Sequence, residues 1–480
     1  MKRYLNKLNN MPITAKVSLA YAVCSILQKC LAIITMPLFT RILTVEQYGQ
    51  YSVYTSWSGI LGIFVTLNLC YGSFQTAMAK YEKKRDEYIA SVEGISVFMV
   101  GLYIVIYLLF RDEWNGLLNM PTYLVIIMLI EMLAQSSIQF WMGKQRFEYK
   151  YKSVVAITLL ITVLSPLLAF LLIMNTDEKG YAKIVGYACV NIIIGMFFFI
   201  YNILKGQKVF QRDYWKFALG FNIPLIPYYA SQVIFNQSDR IMISKFCGEE
   251  KAGIYSVAYT LALVLNFVLN AINNSYVPWL YEKMNQNKHE DNKKISCMLS
   301  ALIAVLLLGI IWFTPELILI MAGSKYVEAI WIVPPVAMSV LLLFYSQLFI
   351  NVAFYYEQKS FLVWVSILSA IVNIVLNWIF IPRLGYVVAG YTTLASYILF
   401  AVGNIWGVYK YKNNKVKVNN MYNLKILSLI FGAMTVLTVT AMLLYEHSIL
   451  RYLIIAVVVF VMVWNHRKII EAFAMIKNHA

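Results

Sequence analysis

Long apolar stretches alternate with short polar ones along almost the whole chain. A helix needs about 20 apolar residues to cross the hydrocarbon core of a bilayer. The pattern therefore predicts an all-α integral membrane protein with about fourteen membrane-spanning helices, which we call segments 1 to 14. These segments run approximately over residues 17–40, 50–78, 88–110, 117–142, 153–174, 181–203, 216–238, 252–275, 296–321, 328–352, 361–381, 386–408, 424–445 and 449–465.

Composition supports a membrane protein, because 61% of the residues are hydrophobic and only 13% are charged, with a mean hydropathy of +0.67. These values lie outside the usual range of soluble globular domains. Segment 1 is too long for the apolar core of a signal peptide, so we expect it to remain as the first helix. The six cysteines form no C-x-x-C pair. We therefore expect no metal site and no disulfide framework.

The 40 Lys and Arg residues are distributed unevenly between alternate connections. The termini and the even-numbered connections hold 29 of them and the odd-numbered connections hold 10, where a residue at the edge of a segment is counted with the adjoining connection; Lys29 is the one residue counted inside a segment. The positive-inside rule then predicts that both termini are cytoplasmic. This topology, together with contact to anionic membrane lipids, explains the net charge of +17 better than nucleic-acid binding does.

An internal repeat indicates how the segments are grouped. When the sequence is aligned with itself at a shift of 204 residues, one short motif matches another. Six segments separate the two copies, and an even number of membrane crossings gives both copies the same orientation. This predicts two parallel six-helix lobes, an N-lobe at 1–213 (segments 1–6) and a C-lobe at 214–417 (segments 7–12). Residues 418–480 then hold segments 13 and 14 and a cytoplasmic tail. Chance similarity is the alternative; the aligned residues are Glu46, Gly49, Tyr51, Ser52 and Val53 with Glu250, Gly253, Tyr255, Ser256 and Val257.

Two motifs carry a resemblance to a known family. Phe39-Thr40-Arg41-Ile42-Leu43 and Tyr48-Gly49-Gln50-Tyr51, which follow segment 1, resemble the signature of bacterial polysaccharide flippases. These flippases are part of the multidrug/oligosaccharidyl-lipid/polysaccharide exporter superfamily. Asp239-Arg240 and the residues up to Ala258 resemble the pattern of the same family at segments 7 and 8. The resemblance covers essentially the whole chain, but its motifs are structural and say little about the substrate.

The resemblance implies a function in the bacterial cytoplasmic membrane. Members of the family move an undecaprenyl-diphosphate-linked oligosaccharide from the inner to the outer leaflet by alternating access, for the O-antigen of lipopolysaccharide, for capsule or for a similar surface polymer. Polysaccharide polymerases and glycosyltransferases are then the expected partners. No cofactor is expected, because the chain has no phosphate-binding G-x-x-x-x-G-K-[ST] loop. A proton or sodium gradient, or the membrane potential, is the candidate energy source.

Three other functions are weighed against this one. Lipid II flippases, which are related, carry several arginines in the cavity of the first lobe, whereas segment 1 holds a single lysine. A multidrug exporter of the same superfamily would favour an apolar pocket with one or two carboxylates. A membrane glycosyltransferase or polymerase usually needs a substantial outer loop, and the outer connections here are short. We therefore expect a transporter without catalytic residues.

Lys29 is the first candidate for substrate binding. It lies roughly 17 Å from either end of segment 1, at 1.5 Å per residue, which is too far for its side chain to reach either interface. Ser25 shares its helix face at a spacing of four residues. A charged residue at this depth is costly and usually marks a pathway or a buried pair. Lys29 is thus expected to attract the diphosphate, or alternatively to form a structural ion pair with Glu131.

Polar stripes on other segments supply the remaining candidates. Glu131, Gln135 and Gln139 share one face of segment 4, which suits either a sugar or a coupling proton at the carboxylate. Interhelical hydrogen bonding is the alternative for every such stripe. Asp239 and Arg240, near the outer end of segment 7, are a candidate gate or structural pair. The C-lobe candidates for a carbohydrate-facing lining are Asn266, Asn270, Asn273, Asn373 and Asn377.

Overall fold

The computed structural model describes residues 13–286, 289–358, 360–410 and 421–464. Every regular element within these residues is helical, which confirms the predicted all-α class. Eleven helices of the described residues are long and apolar enough to cross a membrane. The protein is therefore a multi-pass membrane protein. The predicted cytoplasmic tail after residue 464 lies outside the described residues.

The chain divides into two compact units, Met1–Ile241 and Met242–Ala480. The helices that begin in the first unit are α1 (Ile13–Ile42), α2 (Val45–Thr66), α3 (Ser73–Lys80), α4 (Arg85–Leu109), α5 (Arg111–Leu118), α6 (Thr122–Phe147), α7 (Tyr151–Ile173), α8 (Lys179–Gly206), α9 (Arg212–Asn222) and α10 (Ile226–Cys247). The second unit has α11 (Glu249–Ala262), α12 (Asn266–Asn285), α13 (His289–Trp312), α14 (Thr314–Met321), α15 (Val333–Tyr355), α16 (Ser360–Leu384), α17 (Val388–Lys410), α18 (Leu424–Leu443) and α19 (Ser448–Trp464).

All fourteen predicted segments coincide with helices, although three of them lack a helix that meets the length and hydropathy needed for a span. Segment 14 forms α19, of which the described part has 17 residues. The longest helices of segments 2 and 7 are α2 and α10, whose sequences contain many polar residues. Polar helices of this kind are tolerated in a membrane where they face protein or water rather than lipid.

The predicted boundary at 213/214 falls close to the start of α9. Tyr214 and Ala218 of this helix are buried in a hydrophobic core with Phe74 and Tyr88 of the first unit. The aromatic side chains of α9 therefore attach it to the helices that precede it in the chain. The division into an N-lobe, a C-lobe and a C-terminal part by sequence similarity stays a prediction.

Local sequence explains where α2 begins and ends. Thr44 and Gln47 form a capping box, in which each side chain accepts a hydrogen bond from the backbone N–H of the other at 3.1 Å. The helix ends at Thr66, because Leu67 and Asn68 adopt left-handed backbone conformations with φ near +50°. The single segment predicted over 50–78 is thus two helices, α2 and α3, joined by a turn.

Segments 7 and 8 are also interrupted. A short 3₁₀ turn, Ile223–Leu225, separates α9 from α10 and contains Pro224, with Pro227 just after it. Proline has no backbone N–H to donate, so two prolines three residues apart weaken a continuous α-helix. A second 3₁₀ turn, Leu263–Leu265, separates α11 from α12.

Helix α8 is central to the first unit and packs against α2, α4, α6 and α7. Two glycines allow this close packing. A Cβ atom at Gly195 would lie 2.4 Å from the carbonyl oxygen of Ala134 on α6, and one at Gly186 would lie 2.4 Å from the Cα of Ala169 on α7. No side chain fits at these distances, so the backbones of α6 and α7 approach α8 directly.

The second unit repeats several of these pairings. Helix α17 packs against α15 and α16, as α8 packs against α6 and α7. In the same way α15 packs against α11 and α13, as α6 packs against α2 and α4. The two units thus share these helix pairings, and the internal repeat itself stays a prediction.

Candidate functional site

A cavity of about 440 Å³ lies within the first unit, lined by residues of α2, α6, α10 and the turn after α2. Its surface combines amides, hydroxyls and two tyrosines with aliphatic side chains, and no charged residue is among the described lining residues. Gln135 and Gln139, which the sequence predicts on one face of segment 4, both contribute to it. The other polar lining residues are Ser58, Thr66, Asn68, Tyr71, Ser136, Tyr229 and Gln232.

Glu131 lies next to this cavity but is not among its lining residues. Its side chain is buried, with 6% of its surface exposed, and it accepts hydrogen bonds from three helices. The Tyr54 hydroxyl of α2 donates to Oε2 at 2.9 Å. Gln135 of α6 donates to Oε1 at 3.0 Å, and Asn191 of α8 donates to Oε1 at 2.9 Å. Three donors satisfy the buried carboxyl group, and Glu131 forms no ion pair with any residue that the structure describes.

A second buried acid, Glu93 of α4, was not singled out in the sequence. It is fully buried and accepts a hydrogen bond from Asn202 of α8 at 2.8 Å. The Ser137 hydroxyl of α6 lies 2.8 Å from its other oxygen. The available signal was the position of Glu93 inside segment 3, where an ionisable residue is rare. This cluster connects three helices of the first unit and does not line the cavity.

Lys183 is a buried basic residue that the charge count assigned to a connection. It lies on α8, with 3% of its surface exposed. Its ammonium group is 4.6, 4.4 and 3.8 Å from the ring centroids of Phe39, Tyr48 and Tyr51. Each cation–π contact of this kind contributes roughly 0.5 to 2 kcal/mol. Lys183 is therefore a buried basic residue that the sequence analysis did not single out, and the rings of Phe39, Tyr48 and Tyr51 surround its ammonium group.

Comparison with known proteins identifies the family. The sequence profile of the family described as "Polysaccharide biosynthesis protein" matches residues 15–284, which is more than half of the chain. The chain belongs to this family. The predicted resemblance is thereby confirmed. A curated relative, "Lsg locus putative protein 1" of Haemophilus influenzae, is 24% identical over 367 residues, which cover 75% of this chain and 89% of the relative.

Solved structures show the fold of this polysaccharide biosynthesis protein. A structure titled "Lipid II flippase MurJ, inward closed conformation" has a TM-score of 0.66 at 13% identity and covers 94% of this chain and 99% of that one. An inward-facing multidrug resistance MATE family transporter of the MOP superfamily has a TM-score of 0.58 at 12% identity. It covers 80% of this chain and 96% of the transporter. At these identities the likeness establishes a shared fold.

The structure places Lys29 and Ser25 on an exposed face of α1, and neither is among the described residues that line the cavity. The ion pair between Lys29 and Glu131, which was the alternative to a role with the diphosphate, is not present among the described residues. Instead, Glu131 is satisfied by the three neutral donors described above. The pairing was wrong because a helical face predicts only the direction of a side chain, whereas the helices that pack together decide its partner.

The predicted asparagines of the second unit divide into two groups. Asn373 and Asn377 are fully buried on α16, where the Asn377 amide donates to Asn373 and its oxygen accepts from Thr392 of α17. They therefore join two helices, which is the alternative that the sequence left open. On α12, Asn270 is exposed, Asn266 is half-buried, and the half-buried Asn273 accepts a hydrogen bond from Asn351 at 2.7 Å.

Asp239 and Arg240 lie on α10 near the end of the first unit. Asp239 is buried with 1% exposure. Arg240 donates to the backbone oxygen of Asn236 at 3.1 Å and to the side-chain oxygen of Gln237 at 2.8 Å. Gln237 also accepts from Ser56 of α2 at 3.1 Å. Arg240 thus takes part in a polar network between α10 and α2, and its role as a gate stays a prediction.

Proposed function

We propose that this protein is a flippase that moves an undecaprenyl-diphosphate-linked oligosaccharide from the inner to the outer leaflet of the bacterial cytoplasmic membrane. Membership of the polysaccharide biosynthesis protein family supports a role with carbohydrate. The shared fold with a lipid II flippase supports movement of a lipid-linked substrate. Alternating access is the mechanism that we propose for this movement.

The uncharged cavity of the first unit, with its amides and hydroxyls, is the observation that carries the proposal. A sugar presents many hydroxyl groups, and it is held by many hydrogen-bond donors and acceptors rather than by a few charges. The amides and hydroxyls of the lining supply both, and Tyr71 and Tyr229 supply aromatic faces. A site for cationic drugs would place a carboxylate in the lining, whereas Glu131 is engaged by its own neighbours.

The energy for this movement would come from the membrane or from an ion gradient. Moving about two negative charges outward across a membrane whose inside is negative by about 100 mV is favourable by roughly 4 to 5 kcal/mol. The membrane potential is thus a candidate source for a diphosphate-linked substrate, and a proton or sodium gradient is a further candidate.

Transport is proposed to serve O-antigen, capsule or a similar surface polymer. The proposed topology has both termini in the cytoplasm, where most basic residues lie. Glycosyltransferases would supply the substrate on the cytoplasmic side, and a polysaccharide polymerase would use the product on the other side.

Deletion of the protein tests the proposal. The lipid-linked oligosaccharide should accumulate at full length in the inner leaflet, and the surface polymer should be lost, while drug susceptibility stays unchanged. Surface polymer is measured by immunoblot, and the lipid-linked intermediate by mass spectrometry. Accumulation of a shorter, incomplete intermediate would instead indicate a glycosyltransferase. Increased drug susceptibility with normal surface polymer would indicate a multidrug exporter.

A further inference from the structure

The hydrogen bonds of Glu131 determine the orientation of a cavity residue. A carboxylate accepts hydrogen bonds and does not donate them. The side-chain nitrogen of Gln135 lies 3.0 Å from Oε1 of Glu131. The amide of Gln135 must therefore turn its NH₂ group towards the carboxylate. Tyr54 and Asn191 donate to the same carboxylate from α2 and α8, so Glu131 is held from three sides.

The other end of the Gln135 amide is available to a ligand. Gln135 lines the cavity and is exposed, and within the described part of the chain its carbonyl oxygen accepts no hydrogen bond. Since the NH₂ group of Gln135 is bonded to Glu131, its carbonyl oxygen is the group that can accept a hydrogen bond from a ligand in the cavity. Gln139, one helical turn further along α6, lines the same cavity.

We propose that Glu131 is a positioning residue that fixes Gln135 as an acceptor, and that the cavity thereby selects an uncharged sugar that donates a hydroxyl or amide hydrogen. This inference rests on the proposed function and names the class of sugar that the same site takes. The carboxylate of a uronic acid would meet the carbonyl oxygen of Gln135, which repels it. The carboxylate of Glu131, bonded to the other end of the same amide, would add to this repulsion. No cation among the described lining residues would offset this repulsion.

Replacement of Glu131 by glutamine separates positioning from a general structural role. A glutamine at 131 both donates and accepts, so Gln135 becomes free to reverse its amide and present NH₂ to the cavity. Glu131→Gln should therefore weaken the discrimination between sugars while the protein still folds. Glu93→Gln is the matched control, because it makes the same change at a buried acid whose hydrogen-bond partners, Ser137 and Asn202, do not line the cavity.

The experiment measures equilibrium binding to the purified full-length protein in detergent micelles. The two probes are undecaprenyl-diphosphate-linked glucose and undecaprenyl-diphosphate-linked glucuronic acid, which differ only in one carboxylate. The wild type and Glu93→Gln should prefer the glucose probe by about tenfold or more, since like charges in a desolvated site repel strongly. Glu131→Gln should reduce this preference to less than about threefold.

A double-mutant cycle completes the test. If Glu131 acts through Gln135, the variant with both Glu131→Gln and Gln135→Ala should bind the glucose probe no more weakly than Gln135→Ala alone. Additive losses, or an unchanged preference in Glu131→Gln, would overturn the positioning role. Equal binding of both probes by the wild type would overturn the selection of an uncharged sugar. Binding of neither probe by the wild type would overturn the proposed function itself.

Discussion

Asn202→Ala tests how the first unit satisfies its fully buried acid, Glu93. The Asn202 amide donates to Oε1 of Glu93 at 2.8 Å and to the backbone oxygen of Ser137 at 3.2 Å. Alanine removes both hydrogen bonds and leaves these buried acceptors without this donor. An unsatisfied buried polar group costs about 1 to 3 kcal/mol. We therefore expect Asn202→Ala to destabilise the protein by an amount in this range.

Glu93→Gln should cost less, although it removes a charge. Glutamine keeps an oxygen that accepts from Asn202, and its NH₂ group faces the Ser137 hydroxyl. That hydroxyl also lies 3.1 Å from the backbone oxygen of Leu133, to which it can donate while accepting from glutamine. Because all three groups remain satisfied in a side chain of nearly the same shape, we expect a loss below about 1 kcal/mol.

The assay compares the thermal unfolding midpoints of purified wild type, Asn202→Ala and Glu93→Gln in the same detergent. Asn202→Ala should show the larger decrease. A decrease for Glu93→Gln that equals or exceeds that of Asn202→Ala would refute the reasoning, because it would show that the negative charge, and not the satisfaction of hydrogen bonds, stabilises the cluster.

Three further predictions follow from the packing, from segment 1 and from a surface ion pair. Gly195→Ala should lower the thermal midpoint, because its Cβ would lie 2.4 Å from the carbonyl oxygen of Ala134. Lys29→Ala should reduce polymer export in cells at normal protein abundance, with Lys29→Arg retaining much of it, if the charge attracts the diphosphate. Hydrogen bonds from Lys251 and Tyr386 lower the pKa of Glu328. The stabilisation by Glu328 is thus present above its ordinary pKa of about 4.3, is lost as the pH falls through the lowered value, and is worth at most about 1 kcal/mol at this exposed site. The thermal midpoints of wild type and Glu328→Gln should therefore differ at pH 7 and converge at acid pH.

Controls distinguish these predictions from general damage. Gly101→Ala should not lower the midpoint, because a Cβ atom there meets no other atom within 4 Å and alanine favours a helix over glycine by roughly 0.5 to 1 kcal/mol. For Lys29, the double variant with Lys29→Met and Glu131→Met should not restore export, since these residues form no ion pair; restored export would contradict this. A constant difference between wild type and Glu328→Gln across the pH range would contradict the role of the ion pair.

Sequence alone predicted the class of the protein and its family. The lengths of the apolar runs decide that the chain crosses a membrane many times, because hydrocarbon requires each span to satisfy its own backbone hydrogen bonds. The motif from Phe39 to Tyr51 indicated the family that the profile match then confirmed. The i, i+4 spacing of Glu131, Gln135 and Gln139 also predicted that the two glutamines share a surface, and both line the same cavity.

The partners of the buried polar groups were decided only by the tertiary structure. Glu131 receives hydrogen bonds from Tyr54 and Asn191, which lie 77 and 60 residues away in the chain. Lys183 is surrounded by rings from α1 and α2. A helical pattern specifies the face on which a side chain lies, but the neighbour it meets depends on how closely the helices approach. In this protein the close approach of α8 and α6 depends on small residues such as Gly195, because a side chain there would collide with the backbone of α6.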